Sequence, residues 1–277
     1  MSPPDGYSVP AIAGSGAIAC GLAASATAVG KVMLLARSDA SAWRAEEQAT
    51  ALAAKVDGGN ARQLKVTTET EDLAGCDLIV EAIAEERDAK VELLRRLGDV
   101  AVKADLATTT SSFSIAAVGD TSGHPERVFG LHPFNPVTKM QLIELCIPEG
   151  RRAGIAERAK AWCHGLGKTV ILVPDQTGFV VNRLLFPYLF DAVRLLERTD
   201  MEPEDVDLCM TLGAAHPMGP LALLDMVGLD VAEAIGSALH AADHNQHEPP
   251  PDSLVELLEA GKLGRKSGAG FYVYEKK

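Results

Sequence analysis

The sequence has few positive charges for its length. Lys and Arg together number 26 against 38 Asp and Glu, which gives a formal net charge of −12 over 277 residues. Proteins that bind nucleic acid usually present a basic face, so this balance argues against a nucleic-acid partner. The same negative field repels polyanionic ligands in general. Any such ligand must therefore be held by basic residues placed locally.

Cysteine is also scarce and shows no paired spacing. The chain has five cysteines, an odd number, and no CxxC motif: Cys20, Cys76, Cys146, Cys163 and Cys209. Each lies in an apolar or helical context, which is typical of buried thiols in a reducing compartment. We therefore expect a cytoplasmic protein. His244 and His247 are three residues apart, but a loop pair without further ligands does not define a metal site, and we predict no metal.

No long apolar stretch is typical of a membrane span. Residues 9–36 carry a single ionised side chain, Lys31, and in that respect look like a span. Glycines interrupt the stretch as in a strand–turn–helix–strand unit, at Gly14, Gly16, Gly21 and Gly30. Residues 1–9 lack the basic start of a signal peptide. We therefore expect no membrane association.

Short apolar runs alternate with helical patterns over the first 175 residues. Their lack of alternating polarity indicates strands buried on both faces of a largely parallel sheet. The runs are 9–13, 32–36, 78–83, 106–110, 128–131, 142–147 and 170–173, and helical spacing covers 19–29, 42–55 and 86–102. Pro10 fits a central strand poorly, because it donates no ladder hydrogen bond. The alternation predicts an α/β fold with a doubly wound, mostly parallel sheet.

After Pro174 the pattern is helical throughout. Residues 178–197 have amphipathic spacing, and "TDMEPEDVD" opens another helix with Pro203 near its first turn. "LLDMVGLDVAEAIGSALH" and "PDSLVELLEAG" continue the pattern, with a proline-rich loop between them. The sequence therefore predicts an α/β domain over residues 1–175 and an all-helical C-terminal domain over residues 176–277.

A glycine-rich turn follows the first apolar run. Gly14-x-Gly16-x-x-Ala19 stands at the head of a predicted helix. In a dinucleotide-binding fold the first glycine makes the tight turn, the second admits the pyrophosphate, and the third small residue allows close packing. The phosphates then bind N–H groups at the helix N-terminus. This position in the chain predicts a Rossmann-type dinucleotide site.

The second strand lacks the acid that usually follows such a turn by about twenty residues and binds the ribose hydroxyls. Arg37 stands in its place, followed by Ser38. A carboxylate repels a 2′-phosphate, whereas a guanidinium donates several hydrogen bonds to it. We therefore predict that NADP is favoured over NAD, with the Ser38 hydroxyl as a further donor. Two alternatives stay open: Arg37 is only solvated, or Asp39 serves the ribose.

Several long motifs occur in one order along the chain. They are "DLIVEAIAE" (77–85), "TTTSS" (108–112), "GLHPFNP" (130–136), "QLIEL" (141–145), "GFVVNRLL" (178–185), "HPMGPLALLDMVGLD" (216–230) and "GRKSGAGFYVY" (264–274). With them the sequence resembles the L-3-hydroxyacyl-CoA dehydrogenases, especially the short bacterial 3-hydroxybutyryl-CoA dehydrogenases, from Gly14 to Tyr274. The resemblance implies an oxidoreductase of fatty acid metabolism. Its reaction is hydride exchange between nicotinamide and C3 of a 3-hydroxyacyl thioester.

The resemblance also implies site residues. The family's catalytic histidine corresponds to His132, a residue type that exchanges protons near neutral pH. The carboxylate that orients it corresponds to Glu144, and the groups that hold the substrate oxygen correspond to Ser111 and Asn182. The residues expected to line the cofactor are Glu85, Lys90, Asn135 and Lys266. The family further implies an acyl-CoA substrate and a homodimer formed through the helical domain.

The sequence departs from the family in three places. Thr109 replaces an asparagine near the nicotinamide, and Arg37 replaces the ribose-binding acid. The segment between Arg37 and Cys76 is shorter than in the family, whose helical excursion there carries lysines that hold the CoA phosphates. The basic residues left in this segment are Arg44, Lys55, Arg62 and Lys65.

These departures leave three hypotheses. The first is a dehydrogenase of short-chain 3-hydroxyacyl-CoA. The second is the same chemistry on a carrier-protein-bound 3-hydroxyacyl group or a free 3-hydroxy acid. The third is a relative that binds nucleotide without turnover, against which the retained His132, Glu144, Ser111 and Asn182 argue. The sequence does not specify the acyl-chain length of the substrate, the physiological direction of the reaction or the pathway.

Overall fold

The computed structural model describes residues 6–275, and its first part is an eight-stranded sheet. The strands are β1 Pro10–Ala13, β2 Val32–Leu35, β3 Leu64–Thr67, β4 Leu78–Glu81, β5 Asp105–Thr108, β6 Val128–Pro133, β7 Leu142–Cys146 and β8 Thr169–Leu172. Their order in the sheet is β3-β2-β1-β4-β5-β6-β7-β8. Neighbouring strands run parallel, except that β7 is antiparallel to β6. The predicted doubly wound, mostly parallel sheet is confirmed.

The central strands are short apolar segments buried on both faces. In the register Ile12 lies between Leu34 of β2 and Val80 of β4, and all three side chains are fully buried. Pro10 is the first residue of β1, a position where a strand tolerates proline. The strand order reverses between β1 and β4. The carboxyl ends of strands on either side of such a reversal form the usual ligand crevice.

Five helices connect these strands: α1 Ala17–Ala26, α2 Asp39–Ala53, α3 Arg87–Val100, α4 Ile115–Ser122 and α5 Ile155–Gly165. Residues of α1, α2 and α5 share one apolar core with the sheet, while α3 packs against α4. Because parallel crossovers are right-handed, the reversal at β1 places α1 and α2 on one face and α3 and α4 on the other. The result is a layered α/β core.

Two expectations about strands were incomplete or wrong. Strand β3 was not predicted, because the polar residues Lys65 and Thr67 alternate with Leu64 and Val66 at the edge of the sheet. The run at 170–173 was expected to be buried on both faces, but Ile171 is 50% exposed and its neighbour Leu172 52%. The reason is that β8 is the other edge strand and pairs only with β7.

The chain divides into two compact units after Gln176. The second unit contains α6 Val181–Arg198, α7 Pro203–Leu208, α8 Pro220–Val227, α9 Leu229–Ala242 and α10 Asp252–Glu259. Its apolar core gathers Phe186, Leu189 and Phe190 of α6 with Leu224 of α8 and Leu239 of α9. Within residues 6–275 no helix is both long enough and apolar enough to cross a membrane.

Two buried carboxylates organise the helical unit. Asp207 accepts hydrogen bonds from the N–H groups of Leu221 and Ala222 at the start of α8, which compensates for donors that the helix leaves free. Asp225, within α8, accepts the N–H groups of Phe271 and Tyr272. The C-terminal segment is therefore held against α8 by backbone hydrogen bonds to one side chain.

Candidate active site

The dinucleotide turn is built as its glycine spacing predicts. Gly14 has φ +147°, and a Cβ there would lie 2.3 Å from the carbonyl oxygen of Ala82, so only glycine fits. Gly16 is the N-cap of α1, and no side chain caps that helix. A Cβ on Gly16 would meet no protein atom within 4 Å, so packing does not require glycine there. Open space and free N–H groups at this helix end suit a pyrophosphate.

Arg37 is the first exposed residue after β2. Ala36 precedes it, with a buried side chain and an N–H that donates to the carbonyl oxygen of Thr67. Among the described residues the Arg37 side chain has no hydrogen-bond or ion-pair partner, and its guanidinium can therefore turn to a ligand. Ser38 caps α2: its Oγ accepts the N–H of Ser41. Asp39 is exposed in the first turn of α2.

His132 and Glu144 face each other across the antiparallel strands β6 and β7. They are register partners on β6 and β7, and Nδ1 of His132 lies 2.8 Å from Oε2 of Glu144. The side chain of Glu144 is 1% exposed and that of His132 is 11% exposed. A buried carboxylate at this distance fixes the imidazole so that Nδ1 carries a proton toward it. Nε2 is then the nitrogen that can take up or release a proton.

Ser111 lies in the loop that follows β5, and Glu85 holds that loop. Oε1 of Glu85 accepts the N–H of Ser111 at 3.1 Å and of Ser112 at 3.2 Å, and also the hydroxyl of Thr110. Burial alone would raise the pKa of Glu85, but the ammonium of Lys90 and these hydrogen bonds lower it below its usual value. Glu85 is therefore an anion that fixes the backbone around Ser111.

Lys90 was expected to line the cofactor, and the structure places it behind Glu85. Its side chain is 0% exposed, and Nζ lies 2.9 Å from Glu81 and 3.2 Å from Glu85. Glu85 is 39% exposed and presents the accessible part of this group. Because Lys90 is fully buried behind Glu85, it cannot contact a cofactor directly. Of the two residues, only Glu85 is exposed enough to do so.

Asn135 lies in the connection between β6 and β7, is exposed, and precedes Pro136 through a cis peptide bond. The ammonium of Lys168 donates to the carbonyl oxygens of Val137 and Met140 and so holds this connection. Burial lowers the pKa of Lys168. No pattern in the sequence indicates this role, because an isolated lysine before a strand is usually solvated.

Asn182 and Lys266 lie in the helical unit. Asn182 is buried in the first turn of α6. Lys266 forms an ion pair with Asp230 of α9, and both side chains are partly exposed. Burial would raise the pKa of Asp230, but the hydrogen bond from Lys266 lowers it. No three His, Cys, Asp or Glu side chains converge as metal ligands anywhere in residues 6–275.

Glu81, Thr108 and Thr110 were not singled out from the sequence. Glu81 ends the apolar strand β4 and is fully buried, and Thr108 ends β5 and donates to it. Glu81 lies within the expected strand 78–83, but a sequence does not show whether an acid in such a run is buried or turned to solvent. The signal that was present is that two adjacent strands end in polar residues at the ligand-binding edge.

A mostly parallel sheet with this glycine turn at its strand-order reversal is a dinucleotide-binding domain. Residues 10–176 match the family model of the NAD-binding domain of 3-hydroxyacyl-CoA dehydrogenase, and residues 178–274 match that of its C-terminal domain. The chain belongs to the 3-hydroxyacyl-CoA dehydrogenase family. The nicotinamide-cofactor class predicted from the sequence is thereby confirmed.

Individual relatives agree with this assignment. The chain is 41% identical to a 3-hydroxybutyryl-CoA dehydrogenase of Mycobacterium tuberculosis over 214 residues, covering 76% of this chain and 75% of the relative. It is 42% identical to the human mitochondrial hydroxyacyl-coenzyme A dehydrogenase over 202 residues, covering 72% and 64% respectively. The crystal structure of (S)-3-hydroxybutyryl-CoA dehydrogenase from Ralstonia eutropha superposes with a TM-score of 0.91 at 32% identity, covering 98% of this chain and all of that one.

Proposed function

We propose that the protein interconverts short-chain 3-hydroxyacyl-CoA and 3-oxoacyl-CoA. The observation that carries the proposal is the 2.8 Å contact between His132 and a buried Glu144 in a chain of this family. When bound, the nicotinamide accepts or supplies the hydride at C3. In the oxidation direction Nε2 of His132 takes the proton of the C3 hydroxyl, and in reduction it returns that proton.

Glu144 has two tasks in this proposal. It keeps the proton of neutral His132 on Nδ1, so that Nε2 is the nitrogen that can accept the proton of the substrate hydroxyl. It also stabilises the imidazolium that forms when Nε2 is protonated, because its carboxylate lies within hydrogen-bond distance in a buried setting. Its negative charge therefore stabilises the site most at the moment when the alcohol proton is transferred to Nε2.

Ser111 and Asn182 are proposed to hold the substrate oxygen. The backbone of Ser111 is fixed by Glu85, so its hydroxyl starts from a defined position and little ordering is needed when substrate binds. Asn182, which is buried at the start of α6, offers an amide that donates to a carbonyl oxygen and accepts from a hydroxyl. Both assignments follow the family motifs.

NADP is the cofactor we propose in preference to NAD. The support is that no acid ends β2, that Arg37 is exposed and has no side-chain partner within residues 6–275, and that Ala36 is buried. A free guanidinium beside the predicted ribose site can bind a 2′-phosphate through several charge-assisted hydrogen bonds. Ser38 contributes its hydroxyl from the N-cap of α2, where the helix dipole also favours an anion.

The cofactor proposal is tested by initial rates with NADPH and NADH in the wild type and in Arg37→Asp. We expect kcat/KM to favour NADPH by about tenfold or more in the wild type, as one charged hydrogen-bonding group contributes, and the variant to reverse the preference. Arg62→Asp is the matched control. Arg62 is exposed and lies just before the amino end of β3, whereas Arg37 follows the carboxyl end of β2. A wild type that prefers NADH would assign the ribose to Asp39 instead.

A second candidate substrate class is favoured by the short connection between α2 and β3. Residues 54–63 form only a turn and a three-residue 3-10 helix. Lys55 and Arg62 lie near the amino ends of the strands, and Lys65 is paired with Asp72. No cluster of lysines for CoA phosphates remains there, which favours carrier-bound or free 3-hydroxy acids.

A panel of thioesters separates the two classes. We expect acetoacetyl-CoA to give a higher kcat/KM than acetoacetyl-pantetheine, an acetoacetyl carrier protein or free acetoacetate. Because few basic residues remain to hold the 3′-phosphate, acetoacetyl-dephospho-CoA should react within about threefold of acetoacetyl-CoA, the difference left by exposed ion pairs. Higher kcat/KM on the carrier protein or the free acid would select the second class.

We also propose that the protein is cytoplasmic and that it forms a homodimer through the helical unit. Exposed apolar residues of the helical unit, Leu184, Leu208 and Leu212, offer area that a second copy could cover. Analytical ultracentrifugation of the purified protein tests this directly. A monomer at tens of micromolar would contradict it.

A further inference from the structure

A network of buried charged and hydroxyl side chains joins the carboxyl ends of β4 and β5 to α3. Glu81 and Lys90 are both 0% exposed. Oε1 of Glu81 accepts from Nζ of Lys90 at 2.9 Å and from the N–H of Ile83 at 2.8 Å, and Oε2 accepts the hydroxyl of Thr108 at 2.6 Å. Both oxygens of Glu81 are therefore fixed by protein donors.

The same network extends to the loop proposed to bind substrate. Nζ of Lys90 lies 3.2 Å from Oε2 of Glu85, whose other oxygen accepts the N–H groups of Ser111 and Ser112. Glu81 holds Lys90, Lys90 holds Glu85, and Glu85 holds the backbone at Ser111. A second, shorter connection runs through Thr108, whose hydroxyl donates to Glu81 and accepts the N–H of Thr110 at 3.3 Å, next to Ser111.

Glu81 also immediately precedes the segment that packs against the dinucleotide turn. The N–H of Ala82 donates to the carbonyl oxygen of Ala13 at 2.8 Å. The carbonyl oxygen of Ala82 fills the space that a Cβ on Gly14 would need. The bond from Ile83 to Glu81 fixes the residue that follows. One buried carboxylate is thus bonded to the chain on the cofactor side and on the substrate side.

Stability alone gives little reason for this arrangement. Burying charges costs free energy that pairing only roughly returns, and apolar replacements of such pairs are often neutral or stabilising. Here two carboxylates share one ammonium at the carboxyl ends of two central strands, the edge where ligands bind in this fold. The network is fully hydrogen-bonded, and such a network suits a role in holding the surrounding backbone in one defined arrangement.

We propose that Glu81 is a positioning residue for the hydride-transfer site. It acts on the loop of Ser111 through Lys90 and Glu85 and through Thr108, and on the segment beside Gly14 through Ile83. Because Glu81 is fully buried, it touches neither substrate nor cofactor. The inference rests on the proposed function, since Ser111 takes its substrate role from there.

The test compares Glu81→Gln with Asp105→Asn in the full-length protein. Asp105 is a matched control: it is another buried carboxylate, at the amino end of β5, and is held by Tyr7 and Arg158. Both variants should lower the free energy of unfolding. Only Glu81→Gln should lower kcat, by about tenfold or more as for a displaced reacting group, with the KM for acetoacetyl-CoA changed far less.

Amide hydrogen exchange of the ligand-free protein gives a readout that needs no turnover. Exchange at Ser111 and Ser112 should be faster in Glu81→Gln than in the wild type or in Asp105→Asn. The reason is that Glu85 is held less firmly, so its hydrogen bonds to these N–H groups open more often. A wild type without activity would refute the proposed function, yet this exchange result would still test the network. The two failures are therefore distinguishable.

Thr108→Val is a milder second variant in case Glu81→Gln does not fold. It removes the hydroxyl that donates to Glu81 and accepts the N–H of Thr110, and it leaves no charge unpaired. We expect the same direction of change in kcat and in exchange at Ser111 and Ser112. The proposal is overturned if exchange and kcat stay at wild-type values in the variants that fold. It is also overturned if Asp105→Asn loses as much kcat as Glu81→Gln.

Discussion

His132 and Glu144 are twelve positions apart in the sequence but directly opposed in the structure, because β6 and β7 are antiparallel. In a parallel pair, a connection of eight residues between the two strands would be too short. The local reversal of strand direction therefore places a carboxylate beside an imidazole. Neither residue needs a long loop to reach the other.

Glu144→Gln should lower kcat about 100- to 10,000-fold, the range reported for groups that assist or orient proton transfer. The amide keeps the size of the side chain but loses the charge that stabilises the imidazolium, and its N–H₂ favours the wrong tautomer. The measurement is kcat with acetoacetyl-CoA and NADPH. Glu126→Gln, an exposed carboxylate before β6, is the control and should leave kcat unchanged.

Part of the site could be predicted at the level of single residues and part could not. His132, Glu144 and Ser111 stand in sequence motifs, so their positions were expected. The structure brings His132 and Glu144 together, and holds Ser111 to Glu85. Glu81 was missed because a sequence does not show whether an acid at the end of a strand is buried. Burial depends on what packs above it, here the hydroxyl of Thr108 and the ammonium of Lys90.

At the scale of elements, the unit β1–turn–α1 illustrates two different needs for glycine. Gly14 is required by backbone geometry and by the nearness of Ala82. Gly16 has open space around its Cβ position and an N-cap without a side-chain bond. The first glycine therefore serves the fold, and the second serves the approach of a ligand.

Gly14→Ala should lower the free energy of unfolding by about 1–3 kcal/mol, because alanine is strained at this positive φ and its methyl group collides with a carbonyl oxygen. Gly16→Ala should leave the free energy of unfolding nearly unchanged and weaken NADPH binding. Urea unfolding and fluorescence titration with NADPH measure the two quantities. Equal destabilisation by both substitutions would contradict this division of roles.

Element boundaries were predicted where apolar runs were continuous and missed where they were not. The buried strands β1 and β4 consist almost wholly of apolar residues and were found. The edge strand β3 alternates with polar residues and was not. Edge strands meet solvent along one side, so their sequences carry a weaker apolar signal. The same exposure explains why Ile171 of β8 is not buried as expected.

At the scale of the whole molecule, the alternation of runs and helices predicted the α/β sheet, and the change of pattern after Pro174 predicted the helical part. The order of motifs from Gly14 to Tyr274 predicted the family to which the chain belongs. The connection 54–63 is short and carries no cluster of lysines, so no local motif there indicates how a CoA head group would be bound.

The most direct test of the central claim is the rate of acetoacetyl-CoA reduction by NADPH and NADH in the wild type and in His132→Asn. Asparagine can hydrogen-bond but cannot exchange a proton near neutral pH. The account predicts steady oxidation of a nicotinamide cofactor by the wild type. It predicts a kcat lower by about 100-fold or more in the variant, with cofactor affinity retained. Activity of His132→Asn within a few-fold of the wild type would contradict it.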